Sequence, residues 1–248
     1  GITSLDRFPA REAGQIQALY VVGENPLVTD PDLRHVEAAL KHLDVFIVQD
    51  IFLTQTAKQA TIVLPGTSFA EKDGTFSNTE RRVLLVRQAI PPVGDSRPDW
   101  MITQDLSTRV GYPMNYASPE AIFEEIKGLT PSYAGMSYAR LGAAGLQWPC
   151  PTPDHPGTVF LHKDRFSRGK GAFTAIDYKP PAEVVDGAYP MWLSTGRSFA
   201  HYHSGTMTRV SPSLHQEVPE GYVEISPADA KTMAIKDGER VKVSSRRG

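Results

Sequence analysis

Apolar and polar positions divide this chain into two styles of pattern. In the first half, short apolar runs alternate with helix-spaced ones. Ala18–Val22 is a buried-strand run that ends in a turn signal, Gly23, Glu24, Asn25 and Pro26. Thr29 or Asp30 is placed to cap a helix with Pro31 at its first position, and Leu33, Val36, Leu40 and Leu43 follow at helical spacing. Residues 44–50 carry a second strand pattern, 54–59 a short helix and 61–65 a third strand. Such strand–helix–strand units imply right-handed crossovers and a mostly parallel sheet, so this part is expected to be an α/β, three-layer domain.

The pattern then changes. Residues 71–82 surround a turn that leads into 83–90, which predicts a β excursion over about 69–92. A proline-rich connector, 91–98, precedes Asp99, which is placed to cap an amphipathic helix with Met101, Leu106 and Val110 apolar and Gly111 as its stop. Ser118, Pro119 and Glu120 open another helix over 121–127, and 133–141 forms a third. The proline-rich stretch 147–153 breaks regular structure and is expected to separate domains. Beyond it, strand patterns fall at 158–162, 172–178, 191–195 and 222–225. A capped short helix at 226–233 and an Asp237–Gly238 turn then lead into a last strand. This half reads as an incomplete β-barrel. The expected organisation is therefore 1–157 followed by 158–248.

Composition narrows the class. At 40% hydrophobic and 22% charged, the chain matches an ordinary globular protein. A net charge of −2 offers no basic footprint for a nucleic acid, so an anionic ligand must be met by local donors. A single cysteine, Cys150, excludes an internal disulfide and a cysteine-ligated iron–sulfur cluster within these residues. It lies between two prolines, away from a candidate base, and reads as a buried structural thiol. No apolar run approaches the ~20 residues of a membrane span. The cytoplasm is the expected compartment and the periplasm its alternative. Gly1 in place of Met, and a last strand without a returning partner, point to a piece of a longer polypeptide.

Ligands of parallel sheets bind beyond the carboxyl ends of the strands. Here those ends are Gly23 to Asn25, Gln49 with Asp50, and the stretch 65–68, all small or polar. Asp50 and Asp99 also have a blander reading, as caps of turns or helices. Arg81 and Arg82 suit either a phosphate clamp or a solvated charge pair. There is no G-x-S-x-G elbow, no G-x-G-x-x-G after a strand, and no Walker A string, because Gly169, Lys170 and Gly171 lack a following Ser or Thr.

The densest chemistry lies at 194–209, where glycines, hydroxyls, Arg197, His201, His203 and Arg209 crowd one stretch. Glycine lets backbone approach a ligand, and arginine with hydroxyls suits phosphate or a polar heterocycle. On a strand, His201 and His203 would face one side. Two histidines without a third ligand do not make a closed zinc site, so no metal is expected there.

This string resembles the molybdopterin-dinucleotide-binding domain of formate dehydrogenase catalytic subunits, within the molybdopterin oxidoreductase superfamily. Further blocks at 23–26, 48–52, 64–67, 74–82, 110–114, 147–150 and 225–243 resemble the same proteins in order. The resemblance implies a parent that oxidises formate to carbon dioxide at molybdenum or tungsten held by two molybdopterin guanine dinucleotides. A 4Fe–4S cluster and the metal-binding residue would lie in upstream domains of the same chain. Electrons would pass to partner subunits, and these residues alone would be inactive. The second half would be the start of a double-psi-type barrel.

By the same resemblance, Gly23, Asn25, Thr29, Gln49, Asp50 and Gly66 would meet the cofactor, with Thr29 reaching a phosphate from near a helix start. Relatives often carry Ser where Gly66 stands, so a backbone contact is expected of it. Asp99 would accept from guanine N1–H and the exocyclic amine. Thr195, Arg197, Ser198, His201 and His203 would face the pterin or phosphates, Ser198 replacing an acidic residue of some relatives. None of these residues would be catalytic. The alternatives are a nitrate reductase or other bis-molybdopterin oxidoreductase, and a non-catalytic nucleotide-binding module.

Overall fold

The computed structural model describes residue 14 and residues 16–181 and 183–246. Three parallel strands, β1 (Ala18–Val22), β2 (Val45–Asp50) and β3 (Ile62–Pro65), form a sheet in sequence order with β2 central. Val22 pairs with Gln49, and Asp50 with Pro65, so the carboxyl ends of all three strands lie along one edge. Parallel pairing requires a crossover between neighbours, and the helices supply the first one. Helix α1 (Pro26–Thr29) is a single turn, and α2 (Leu33–Lys41) packs Val36, Ala39 and Leu40 against Val21, Phe46 and Val48. Each fully buried Val, Leu or Phe side chain among these contributes about 1.5–3 kcal/mol.

The helix start differs from the sequence expectation. Neither Thr29 nor Asp30 caps α2; Asp32 does, accepting from the His35 N–H at 3.3 Å. Pro26 starts its own helical turn immediately after the strand, which moves Thr29 to the end of α1 rather than a helix start.

The excursion folds as a hairpin of β4 (Gly74–Ser77) and β5 (Arg82–Val86), joined by β6 (Leu146–Gln147) in an antiparallel sheet. Helix α3 (Asp99–Arg109) buries Ile102, whereas Met101 and Val110 are exposed, so the expected apolar face is misphased. Helix α4 (Pro119–Leu129) starts as expected, with the Ser118 hydroxyl accepting from Ala121 N–H at 3.2 Å. A second core gathers Val83 and Phe123 with Met136 and Leu141, the last from helix α5 (Tyr138–Leu141), and Cys150.

Two arginines hold the stretch that follows. Arg81 donates to the carbonyls of Trp148, Thr158 and Val159. Arg140 donates to those of Gly135 and His155. Gly135 has no room for a side chain, since a Cβ there would lie 2.0 Å from the Thr152 carbonyl oxygen.

The chain divides into two compact units, residues 1–171 and 172–248. The second holds helices α6 (Pro212–Glu217) and α7 (Pro227–Thr232), the latter capped by Ser226 as its sequence predicts. The expected barrel strands do not form: from 158 onward no strand occurs among the described residues. Alternating apolar residues favour strands only where neighbouring strands complete the ladder and cover one face. Here Phe173, Trp192 and Tyr222 stand exposed instead.

Candidate functional site

The carboxyl-end edge of the parallel sheet gathers most of the candidate side chains of the first unit. Gly23 leaves β1 at φ +64, in a conformation that glycine adopts without strain, and its N–H donates to the Gln49 carbonyl at 2.9 Å. The Gly66 N–H donates to the Asp50 carbonyl at 3.0 Å. These two bonds tie the three strand ends together.

A side-chain network lies across the same edge. The Tyr20 hydroxyl donates to Gln49 Oε1, which fixes the amide with Nε2 toward Asp99 Oδ1 at 2.6 Å. Lys72 Nζ donates to Asp99 Oδ2, and also to the Thr67 carbonyl at 3.0 Å. Gln49 is fully buried, whereas 38% of the Asp99 side chain is exposed. Asp99 lies in the first turn of α3, where a carboxylate is favoured by the helix dipole, but it makes no capping bond. Its carboxylate is turned to the strand ends. A Cβ on Gly66 would lie 2.8 Å from Asp99 Oδ1, so glycine leaves the carboxylate its place.

Beside this network Thr67 is 1% exposed, and its buried hydroxyl has no hydrogen-bond partner. Orphaned buried hydroxyls are uncommon in folded proteins. Asp50 is half-buried and accepts from Phe52 N–H at 3.0 Å, closing a turn. Burial is the main reason its carboxyl lies above the ordinary value; the Phe52 and Ile51 N–H groups oppose the shift, and the charge of Asp99 adds to it.

Asn25 is placed differently from a ligand-facing side chain. It is 2% exposed, and its Oδ1 accepts from Thr56 N–H at 3.2 Å and Thr56 Oγ1 at 2.7 Å. Its Nδ2 donates to Gln55 Oε1 at 3.1 Å. Thr29 is exposed, its hydroxyl donating to the Asn25 carbonyl at 3.1 Å.

In the second unit Thr195 and Arg197 are exposed, and the Ser198 hydroxyl is buried without a partner. His201 and His203 do not share a face, because no strand forms there. His203 sits in a turn at φ +48 and is exposed, while His201 is buried. His201 Nε2 lies 2.7 Å from the Val218 carbonyl and Nδ1 lies 3.1 Å from the Thr208 hydroxyl. Arg209 donates to the carbonyls of Val218 and Pro219 at 3.3 and 3.1 Å. The densest stretch of the sequence thus folds onto 218–219. No group of three or more His, Cys, Asp or Glu suited to a metal occurs among the described residues.

Sequence reasoning missed Tyr20, Lys72 and Thr56, and placed Thr67 at a strand end without assigning it a contact. Tyr20 carried a signal, a polar tip inside an apolar strand. Lys72 carried none, because its contact with Asp99 spans 27 residues across the hairpin.

Ligands of open parallel sheets bind at strand ends such as these, and the comparisons bear on which class of protein this is. Residues 1–109 match the molybdopterin oxidoreductase family and residues 191–248 the molydopterin dinucleotide binding domain. The chain belongs to the molybdopterin oxidoreductases. Within them it is similar to formate dehydrogenase alpha subunits. It is 52% identical over 238 residues to the F420-dependent formate dehydrogenase 2 subunit alpha of Methanococcus maripaludis, covering 94% of this chain and 35% of that one. It is 51% identical over 242 residues to the F420-dependent formate dehydrogenase subunit alpha of Methanocaldococcus jannaschii, covering 96% and 36%. A putative formate dehydrogenase of Staphylococcus aureus is 40% identical over 237 residues, covering 95% and 24%. The chain thus spans about a third of the length of the archaeal relatives. No helix among the described residues is long and apolar enough to cross a membrane.

Proposed function

We propose that these residues supply part of the pocket for one guanine dinucleotide arm of a bis-molybdopterin cofactor, in a parent enzyme that oxidises formate to carbon dioxide. The observation that carries the reading is the strand-end network, in which Gln49 and Lys72 present the Asp99 carboxylate above Gly66. Its chemistry fits the group. A carboxylate matches the adjacent donors of a guanine edge, and the orphaned Thr67 hydroxyl is a free polar group beside it. Gly23 adds an open backbone approach, since nothing lies within 4 Å of where its Cβ would be.

When bound, the metal–dithiolene group, with molybdenum or tungsten, supplies the redox chemistry. The residues described here hold and orient its nucleotide end. Asp99 and Thr67 would meet the base and ribose side, Gly23, Gln49, Asp50 and Gly66 line the strand ends, and Asn25 fixes the loop that carries Thr56. Thr195, Arg197, Ser198, His201 and His203 would serve the second binding segment, whose residues 191–248 match the dinucleotide-binding family; a barrel-type domain beginning near 158 belongs to the same proposal. With one cysteine in the chain, the 4Fe–4S cluster is assigned to upstream domains, and electrons leave through partner subunits. A cytoplasmic location is part of the same proposal.

The test is formate-dependent dye reduction by the full-length parent with its metal content measured. Activity is expected, and the formate assignment fails if a fully metal-loaded enzyme reduces no dye. A D99N variant should retain less guanine-containing cofactor after gel filtration, measured by nucleotide release.

A further inference from the structure

Asp99 is held from two sides, and one of its holders has no assigned role. An ionised carboxylate offers about four lone-pair sites, two on each oxygen. Gln49 Nε2 takes one on Oδ1 at 2.6 Å, and Lys72 Nζ takes one on Oδ2. One site remains on each oxygen, and the side chain is 38% exposed, so the carboxylate stays open to a ligand. Neither holder swings freely. Gln49 is fixed at its other end by the Tyr20 hydroxyl, and Lys72 Nζ is anchored to the Thr67 carbonyl at 3.0 Å. Rotation of the carboxylate about Cβ–Cγ would break both bonds at once.

We infer that Lys72 is a specificity-positioning residue: it locks the Asp99 carboxylate so that its two oxygens together read a pair of adjacent N–H donors on a purine edge. The inference rests on the reading of this edge as a nucleotide pocket. Guanine presents N1–H and an exocyclic amine side by side, whereas hypoxanthine presents N1–H alone, so the locked carboxylate distinguishes them by one charge-assisted hydrogen bond. Without Lys72, Oδ2 loses its fixed direction, and the second donor is no longer met at the right angle. Lys72 itself need not touch the base.

The experiment measures dissociation constants of GDP and IDP by calorimetry on the full-length chain expressed without cofactor, as wild type, K72M, K72R and D99N. Wild type should favour GDP by about tenfold or more, the scale of one hydrogen bond to a charged group. D99N should abolish that preference. K72M should still bind GDP, but with the GDP/IDP ratio reduced to roughly twofold, because orientation rather than the carboxylate is lost. K72R, which keeps a charged donor, should restore most of the ratio. Where K72M does not fold, K72Q gives the same reading, with a ratio between those of wild type and D99N.

A K72M or K72Q ratio equal to that of wild type, even with both nucleotides bound more weakly, would overturn the inference and leave Lys72 a structural residue. A wild type with no preference, or D99N with the wild-type preference, would instead overturn the nucleotide reading, and the role of Lys72 with it.

Discussion

Asn25→Ala tests whether the loop after β1 is held by side-chain bonds in the folded chain or left free for a ligand. Asn25 is 2% exposed, and its Oδ1 is the acceptor for both the backbone N–H and the hydroxyl of Thr56, which is itself fully buried. Alanine leaves two buried donors without an acceptor, at about 1–3 kcal/mol each. It also removes the Nδ2 bond to Gln55. Partial entry of water into the vacated space lowers the sum, so about 3 kcal/mol is expected. In a unit of this size about 1 kcal/mol moves Tm by roughly 2–4 °C, which predicts a fall of about 6–12 °C in calorimetry. T56V removes one of the two donors, so the double variant should lose less than the sum of the single losses. If N25A melts with the wild type while nucleotide binding falls, Asn25 is a ligand contact and the structural account is wrong.

Other outcomes follow from the same geometry. G66V places a Cβ 2.8 Å from Asp99 Oδ1 and 3.8 Å from Gln49 Cγ; it should erase guanine preference in the GDP/IDP comparison with little change in Tm, because the short contact is to the end of a side chain. For Asp50 the folded carboxyl lies above its ordinary 3.8, with burial the first cause. Its stabilising contribution is therefore complete below the unfolded value and lost as pH rises through the folded one. Asp50→Asn keeps an acceptor for Phe52, so its urea midpoint should exceed that of wild type at pH 7 and equal it below about pH 4; a lower midpoint at pH 7 would contradict this. A carbonyl only accepts, so His201 must carry its proton on Nε2 toward Val218, a tautomer visible in nitrogen-15 NMR. H201L should then speed proteolysis within 203–210.

Much of the first unit was legible because its signals are local. The run Ala18–Val22 and the second and third strands are bounded by turn residues, and their parallel pairing follows from the helical segment between the first two. The placement of Gln49, Asp50 and Gly66 at the strand ends was legible for the same reason. The helix starts were less so. Proline-led turns compete for the same few residues, and Pro26 rather than Pro31 won. The network around Asp99 was half legible: the carboxylate stood out and the hairpin was predicted, but no local pattern encodes the contact that brings Lys72 to it across 27 residues. The strand expectation at 191–195 was not met, because two-residue alternation signals a strand only where partner strands exist to pair with it.

Cys150 offers one more use. It is the single thiol of the chain, buried with 0% exposure, and its Sγ is shut behind the Thr152 and His155 carbonyls and the Arg140 guanidinium. An alkylating reagent can reach it only when that wall parts. The rate of thiol labelling therefore clocks the opening of the second core, giving a native reporter of how often the hairpin region breathes without any probe having to be engineered in.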